Sequence, residues 1–439
     1  GNWTIKVHTY NKEGIKVTTN TCEVTRDTVT PEPPVIEVAS GTMGDDTYYR
    51  SDIDVRLTSQ DDTCYKKTTY TVTGTATGAG SIGGVSISSG QNVNISETDI
   101  PNGGTFKIQA DGRWTIKGYT YDKAGRKSVV AGGIVVTRDT VNPVANTPTV
   151  TSGTQGEAGY YRSNVTVKIS GSDTMSFKKM TYRIEGIAKT SGTVAGQSVT
   201  ANQAVNIGEI DIANNGTFVI ATDGTWTVTA YAYDMAGRKG TSSNLVFTRD
   251  TVKPTISSFT RIARTSTTIN VRASASDALS GIGTTNATYS YYQEENKKGT
   301  SNANEFYYTD LTNYTEYNFY VSVFDRAGNE SSQYKLTTRT GKLDEFAYTG
   351  NIQQYVAPET GTYTLYVAGA QGAAGGEGGT ATGQIQLTAG TTLYIVVGQY
   401  GENKAGNFNG GGTGGNMRAG GRSNTYCVTL GSSIILREL

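Results

Sequence analysis

The fourteen residues WTVTAYAYDMAGRK at 226–239 recur as WTIKGYTYDKAGRK at 114–127 and, more loosely, as WTIKVHTYNKEGIK at 3–16. Their tryptophans lie 111 and 112 residues apart (114 − 3 and 226 − 114). Each copy is followed by TRDTV, at Arg26, Arg138 and Arg249, and then by Pro31, Pro143 and Pro254, while YYRS opens two copies at Tyr48 and Tyr160. A repeat of that length is too long for a solenoid unit and suits a domain of its own. Short segments rich in Thr, Val, Ile and Tyr, frequent Gly and Asn turns and no 3.6-residue apolar period predict a β-sandwich in each repeat.

Inside the motif, alternation separates two faces. Trp226, Val228, Ala230 and Ala232 alternate with Thr227, Thr229, Tyr231 and Tyr233, and the first set matches Trp114 and Ile116, then Trp3, Ile5 and Val7. Side chains on a strand point alternately to opposite sides, so the tryptophan set is the core face. Asp111-Gly112 and Asp223-Gly224 supply a turn into the strand, and DKAG or DMAG supplies one at its exit. The proline after each DTV fixes φ and blocks continuation of the strand, as a stiff joint between modules requires. Residues 1–33 hold only the closing strands of such a module, and a lone hairpin cannot bury Trp3. The expectation is a piece of a longer protein, or strands that complete a sandwich in another chain.

Residues 255–342 close on LTNYTEYNFYVSVFDRAGNES, with Tyr317 standing eight residues before Asp325, the offset that separates Trp114 from Asp122. Leu311, Thr315, Tyr317 and the alternating Phe319, Val321 and Val323 resemble the tyrosine corner and following strand of fibronectin type III domains. The earlier copies resemble bacterial immunoglobulin-like modules in their tryptophan strand, Asp-x-Ala-Gly turn and RDTVxP joint. Both resemblances imply sandwiches that serve as spacers or binding arms on secreted and surface proteins.

After Lys342 the composition changes: residues 369–383 contain 7 Gly in 15 and residues 398–421 contain 10 in 24, too dense for ordinary strands or helices. Strands are predicted at 363–368, 383–387 and 392–397. The order of GTYTLYVAGAQG, TGQIQLTAGTTLYIVVGQ and FNGGG is similar to the glycine-rich domain of the anaplastic lymphoma kinase receptor family and of many bacterial secreted proteins. That resemblance implies left-handed polyglycine II helices beside a β core. The predicted architecture is therefore all-β: part of an immunoglobulin-like module at 1–33, complete ones at 34–143 and 144–254, a fibronectin type III-like module at 255–342, and a glycine-rich β domain at 343–439.

Charge is balanced, with 38 basic and 38 acidic residues, so no nucleic-acid or anionic-membrane partner is indicated. No apolar run is long enough to insert into a membrane. One His and three Cys leave little material for acid-base, thiol or metal chemistry. There is no Ser/His/Asp set and no pair of carboxylates in a recognisable cleft, so the chain is expected not to be an enzyme. Cys22, Cys64 and Cys427 have no repeating counterparts and read as incidental thiols, with a Cys22–Cys64 bridge as the alternative. Gly369, Gly372 and Gly375 are spaced like a nucleotide fingerprint but lack the strand, helix and acidic residue it needs, so no cofactor is expected. His8 replaces Tyr119 and Tyr231 on the outward face. Lys168 invites an isopeptide bond, yet Val165, Val167 and Ile169 claim the core face.

Asp45-Asp46 and Asp61-Asp62 are the candidate calcium positions at module loops. EF-hand spacing is absent and Thr174 replaces Asp62 in the next copy, which favours solvated loops. Tyr is abundant, with 28 residues, and many point outward, a pattern that suits contact with sugars or protein surfaces as well as cross-strand pairing. Irregular segments of the glycine-rich domain place Tyr400, Asn403, Asn407, Phe408, Asn409, Arg418 and Arg422 as candidate ligand contacts. The function these features imply is attachment: an extracellular or cell-surface adhesin or fibre fragment, bacterial by resemblance, with sandwiches as stalk and the glycine-rich domain contacting a host or bacterial surface glycan or protein, or associating with itself. A phage or virion tail fibre component and the accessory modules of a secreted carbohydrate-active enzyme are the alternatives.

Overall fold

A computed structural model describes the chain apart from residues 62–63, 131, 286, 369–378, 398–427, 431–432 and 439. Every regular element among the described residues is a β-strand, and none is a helix that could cross a membrane. The chain is an all-β array of sandwiches, as the alternating patterns require. It divides into two compact units, Gly1–Ser152 with Val165–Val246, and Gly153–Asn164 with Phe247–Leu439.

In the first unit, Asn2–Tyr10 and Lys16–Thr25 form an antiparallel hairpin with Trp3 opposite Val24. A sandwich follows. One sheet runs Val35–Ser40, Ile53–Thr58, Thr105–Ile108, Gly80–Ile82 and Val85–Ile87, and the other runs Tyr48–Tyr49, Ile134–Arg138, Gly112–Asp122, Tyr65–Ala76 and Asn92–Ile100. The next copy repeats the plan with Thr149–Ser152, Val165–Lys168, Thr217–Ile220, Gly192–Val194 and Gln197–Val199 in one sheet, facing Phe177–Ala188, Ala204–Ile212 and Gly224–Asp234.

The tryptophan strand is the centre of each core. Trp114 and Trp226 are 0% exposed, and each indole N–H donates to a carbonyl four residues back, Ala110 and Thr222. Each ring lies across a glycine of the neighbouring strand: a Cβ on Gly74 would stand 2.8 Å from the Trp114 ring, and one on Gly186 2.7 Å from the Trp226 ring. Only glycine admits so close an approach. The sheets are also joined by stacked Tyr70–Phe106 and Tyr182–Phe218 pairs, 4.0 and 4.3 Å between centroids. Trp3, in the same motif but on the hairpin, is 53% exposed.

In the second unit, Tyr160 and Tyr161 pair in parallel with Thr248 and Arg249. The sandwich beyond them sets Thr255–Arg264, Ile269–Ser276 and Glu305–Tyr308 against Asn296–Ser301, Tyr289–Gln293, Glu316–Val323 and Tyr334–Arg339. Its core is a run of aromatic contacts through Tyr291, Phe306, Tyr308 and Phe319. The tyrosine corner is present: the Tyr317 hydroxyl accepts the Thr312 N–H at 2.8 Å beside buried Leu311. Within the glycine-rich domain, Leu343–Ala347, Ser433–Glu438, Gly361–Ala368 and Thr380–Leu387 form one sheet and Gln353–Val356, Thr392–Val397 and Val428–Leu430 another. Arg264 and Arg339 both hold Glu359, tying this domain to the sandwich before it. The two long glycine runs, where polyglycine II helices are expected, lie mostly outside the described residues.

Truncating a fully buried tryptophan removes its transfer energy and leaves a cavity. Trp226→Ala is expected to cost about 3–5 kcal/mol, whereas Trp3→Ala, exposed to solvent, should stay within ~0.5 kcal/mol. Urea unfolding of the two variants, followed by circular dichroism, checks the contrast.

Candidate functional site at the module joints

The turn that leaves each of the Trp114, Trp226 and Tyr317 strands is built by its aspartate. Asp122, Asp234 and Asp325 accept, through Oδ1, the N–H four residues on, at 2.8, 2.7 and 2.9 Å. The RDTV aspartate does the same work at the strand that follows: Oδ1 of Asp27, Asp139 and Asp250 accepts the N–H two residues on and stops the strand ahead of the proline. A third aspartate, Asp173 or Asp277, caps a loop by accepting backbone N–H groups of residues 175–176 or 279–281. Taken singly, each is a turn residue.

The fold brings them together. Ligand oxygens of Asp139, Asp173 and Asp234 lie within 4.8 Å of one another in the first unit, and those of Asp250, Asp277 and Asp325 do so in the second. Asp139 and Asp234 are 1% exposed, Asp250 0% and Asp325 3%. The RDTV aspartate reaches the capped loop in both: Ser176 Oγ donates to Asp139 Oδ2, and Ser280 N donates to Asp250 Oδ2 at 3.0 Å. Burial pushes the carboxyls of Asp139, Asp234, Asp250 and Asp325 above the usual range, and neighbouring carboxylates add to it, Asp173 on the first pair and Asp277 on the second.

The first joint is differently charged. Arg126 Nη1 stands 3.8 Å from Asp27 Oδ1 and 3.7 Å from Asp122 Oδ2. The Val29 N–H, the Cys64 thiol and Arg126 together hold the Asp27 carboxyl below the usual range. In the second joint the matching Arg238 turns away, donating to the carbonyls of Asp139 and Arg50 and to Asn142 Oδ1. In the third, Asn329 takes that place and donates to the carbonyl of Asp250 and to Asp325 Oδ2.

Around these aspartates the joints are clasped. The Asp45 N–H donates to the Met235 carbonyl at 2.7 Å, and Arg50 Nη1 to the Ala236 carbonyl at 3.2 Å. The same pattern recurs in the second unit: the Glu157 N–H donates to the Arg326 carbonyl at 2.8 Å and Arg162 Nη1 to the Gly328 carbonyl at 3.1 Å. A Cβ on Gly44 would stand 2.4 Å from the Met235 carbonyl oxygen, and one on Gly156 2.4 Å from that of Arg326. Glu157 also pairs with Arg326 at 2.9 Å, beside a cavity of about 240 Å³ lined by Gly156, Thr288 and Phe324.

The other candidates fall elsewhere. Asp45 is ion-paired with Lys178 at 2.5 Å, and Asp61 Oδ1 accepts the Cys64 N–H at 3.4 Å, while Asp62 lies outside the described residues. Cys22 and Cys64 are free thiols, the first exposed and the second buried. His8 is exposed and bonded to Thr19. Lys168 is half-buried beside the fully buried Val165, Val167 and Ile169. Tyr400, Asn403, Asn407, Phe408, Asn409, Arg418 and Arg422 lie outside the described residues.

The outward tyrosines of the tryptophan strands are occupied within the sheet. Lys127 sits 3.7 Å over the Tyr119 ring, and Glu97 receives Lys127, the Tyr121 hydroxyl and the Thr69 hydroxyl. Lys239, Tyr231, Glu209, Tyr233 and Thr181 repeat the arrangement. Burial raises the Glu97 and Glu209 carboxyls, but these hydrogen bonds outweigh it and leave both below the usual range.

A family model described as a domain of unknown function, DUF7743, matches residues 248–357, a span that contains Asp250, Asp277 and Asp325. No curated protein matches the chain. Among solved structures it is similar to the FN1–FN3 domains of chicken CNTN1, at 14% identity and a TM-score of 0.23 over 71% of this chain and 100% of that one. It is also similar to fibronectin(III)-like modules of Clostridium thermocellum CbhA, at 15% identity and a TM-score of 0.23 over 49% of this chain and 93% of that one.

Two outcomes are expected. Gly156→Ala forces a side chain into the Arg326 backbone and should cost about 1–3 kcal/mol, read as a lower melting temperature and faster proteolytic nicking in residues 153–164. For Glu97 and Glu209, whose folded pKa is depressed, the stabilisation is present above the unfolded value of about 4.3 and lost as pH falls through the folded one. The Glu97→Gln and Glu209→Gln double variant should therefore show a smaller loss of stability on acidification than the parent, measured by urea unfolding across that range.

Proposed function

We propose that this chain acts outside the cell as a non-catalytic, multi-module attachment protein, its sandwiches serving as a stalk and its glycine-rich domain as the unit that contacts a surface glycan or protein. The observation that carries the reading is the repeated joint. The same clasp of loop against Asp-x-Ala-Gly turn occurs at residues 44–50 with 235–236 and at 156–162 with 326–328. Bonds of this kind fix the loop against the turn, and they suit a part whose work is to hold position. Carbohydrate or protein contact falls to the glycine-rich domain in this reading because the outward Tyr119, Tyr121, Tyr231 and Tyr233 of the two tryptophan-centred sandwiches are engaged by Lys127, Lys239, Glu97 and Glu209.

Glycan and cell-surface protein arrays probed with the full chain test this reading. Specific binding that falls at least about tenfold, roughly 1.4 kcal/mol, in a Tyr400→Ala and Phe408→Ala variant with an unchanged melting temperature is the expected result. Absence of binding by the full chain, together with self-association in light scattering, would contradict it and make the chain an assembly component.

A further inference from the structure

We propose that Asp139, Asp173 and Asp234 bind a divalent cation of the calcium class. Two carboxylate oxygens at this joint are used by nothing in the chain. Oδ2 of Asp173 and Oδ2 of Asp234 are buried and have no hydrogen-bond partner. Their Oδ1 atoms are already committed to turn amides. Asp234 is 1% exposed, and a buried carboxylate oxygen without a partner is a costly group to retain.

Geometry then selects the ligand. Two oxygens bound to one ion at about 2.3–2.6 Å stand no more than about 4.6–5.2 Å apart, and the ligand atoms of each triad lie within 4.8 Å of one another. The donors are all oxygen, with no imidazole or thiolate, which suits a hard cation and not zinc or copper. The charge of Arg238 acts on Asp234, yet its guanidinium donates to the carbonyls of Asp139 and Arg50 and to Asn142 and leaves Asp234 Oδ2 without a donor. In the second unit Asn329 Nδ2 donates to Asp325 Oδ2 and the Ser280 N–H to Asp250 Oδ2, so those oxygens are already served by the chain. The first joint shows the contrast: there Arg126 lies within 4 Å of both Asp27 and Asp122 and supplies the positive charge from the chain itself.

Such an ion would join the RDTV aspartate to the capped loop and to the Asp-x-Ala-Gly turn, three segments separated by 34 and 61 residues (173 − 139 and 234 − 173). Calcium would therefore tighten the clasp and not the sandwiches as such.

Equilibrium dialysis of the full chain against calcium chloride at about 1–5 mM, above the ~10⁻⁴–10⁻³ M dissociation constants of extracellular modules, is the test, with thermal melts in calcium and in chelator. One ion per chain and a higher melting temperature in calcium are expected. Asp173→Asn with Asp234→Asn keeps each Oδ1 acceptor for the turn amides, so it should melt in chelator no lower than the parent while binding one ion fewer. Asp277→Asn with Asp325→Asn, in the second unit, should leave that ion bound. No bound calcium, undiminished binding by the Asp173→Asn and Asp234→Asn variant, or a melting shift in magnesium as large as in calcium would overturn the assignment. A chain that binds calcium but no surface ligand retains this inference and loses the attachment reading.

Discussion

Everything distinctive in this chain depends on one turn, the Asp-x-Ala-Gly that closes the Trp114, Trp226 and Tyr317 strands. Its aspartate is fixed by the amide four residues on, so the backbone carbonyls of the turn face outward. Those carbonyls accept the N–H and guanidinium groups of the loop at 44–50 in one unit and at 156–162 in the other. A motif that ends the core strand of one sandwich thus serves as the docking surface for a neighbouring loop. The glycines at 44 and 156 are needed because backbone meets backbone there, with no room for a Cβ.

The joint gathers three carboxylates in a space largely closed to water, and that has to be offset electrostatically. The chain shows graded answers. Arg126 approaches the aspartates of the first joint, Arg238 faces backbone oxygen in the second, and Asn329 brings no charge in the third. Burial raises the carboxyls of Asp139, Asp234, Asp250 and Asp325, whereas the Val29 amide, the Cys64 thiol and Arg126 lower that of Asp27. Loops that look alike in sequence therefore differ in how their charge is balanced.

Much of the fold was readable because it is written locally. Alternation along 226–234 named the core face, and burial of Trp226, Val228, Ala230 and Ala232 follows it. The tyrosine corner needed only Leu311 and Tyr317. The glycine-rich strands lie at Gly361–Ala368, Thr380–Leu387 and Thr392–Val397, close to the positions that apolar alternation indicates. The acidic joints were not readable, for a physical reason. Asp139, Asp173 and Asp234 each satisfy an ordinary turn rule, and nothing in their spacing announces that three turns meet. Adjacent acids such as Asp45-Asp46 attract notice instead, yet Asp45 turns to Lys178. The signal that would have found the site is the repeat itself: 34 and 61 residues separate the aspartates at 27, 61 and 122, as they do at 139, 173 and 234.

The central claim is that the loop amides of the joints are structural hydrogen-bond donors, as firmly held as those of the strands. Hydrogen exchange of the Asp45 and Glu157 amides, resolved at single residues in the intact chain, measures this directly. Protection comparable to that of the Trp114 and Trp226 strands, and greater in calcium than in chelator, is the predicted result. Exchange of both amides at the rate of an exposed loop, with the strands still protected, would contradict the account.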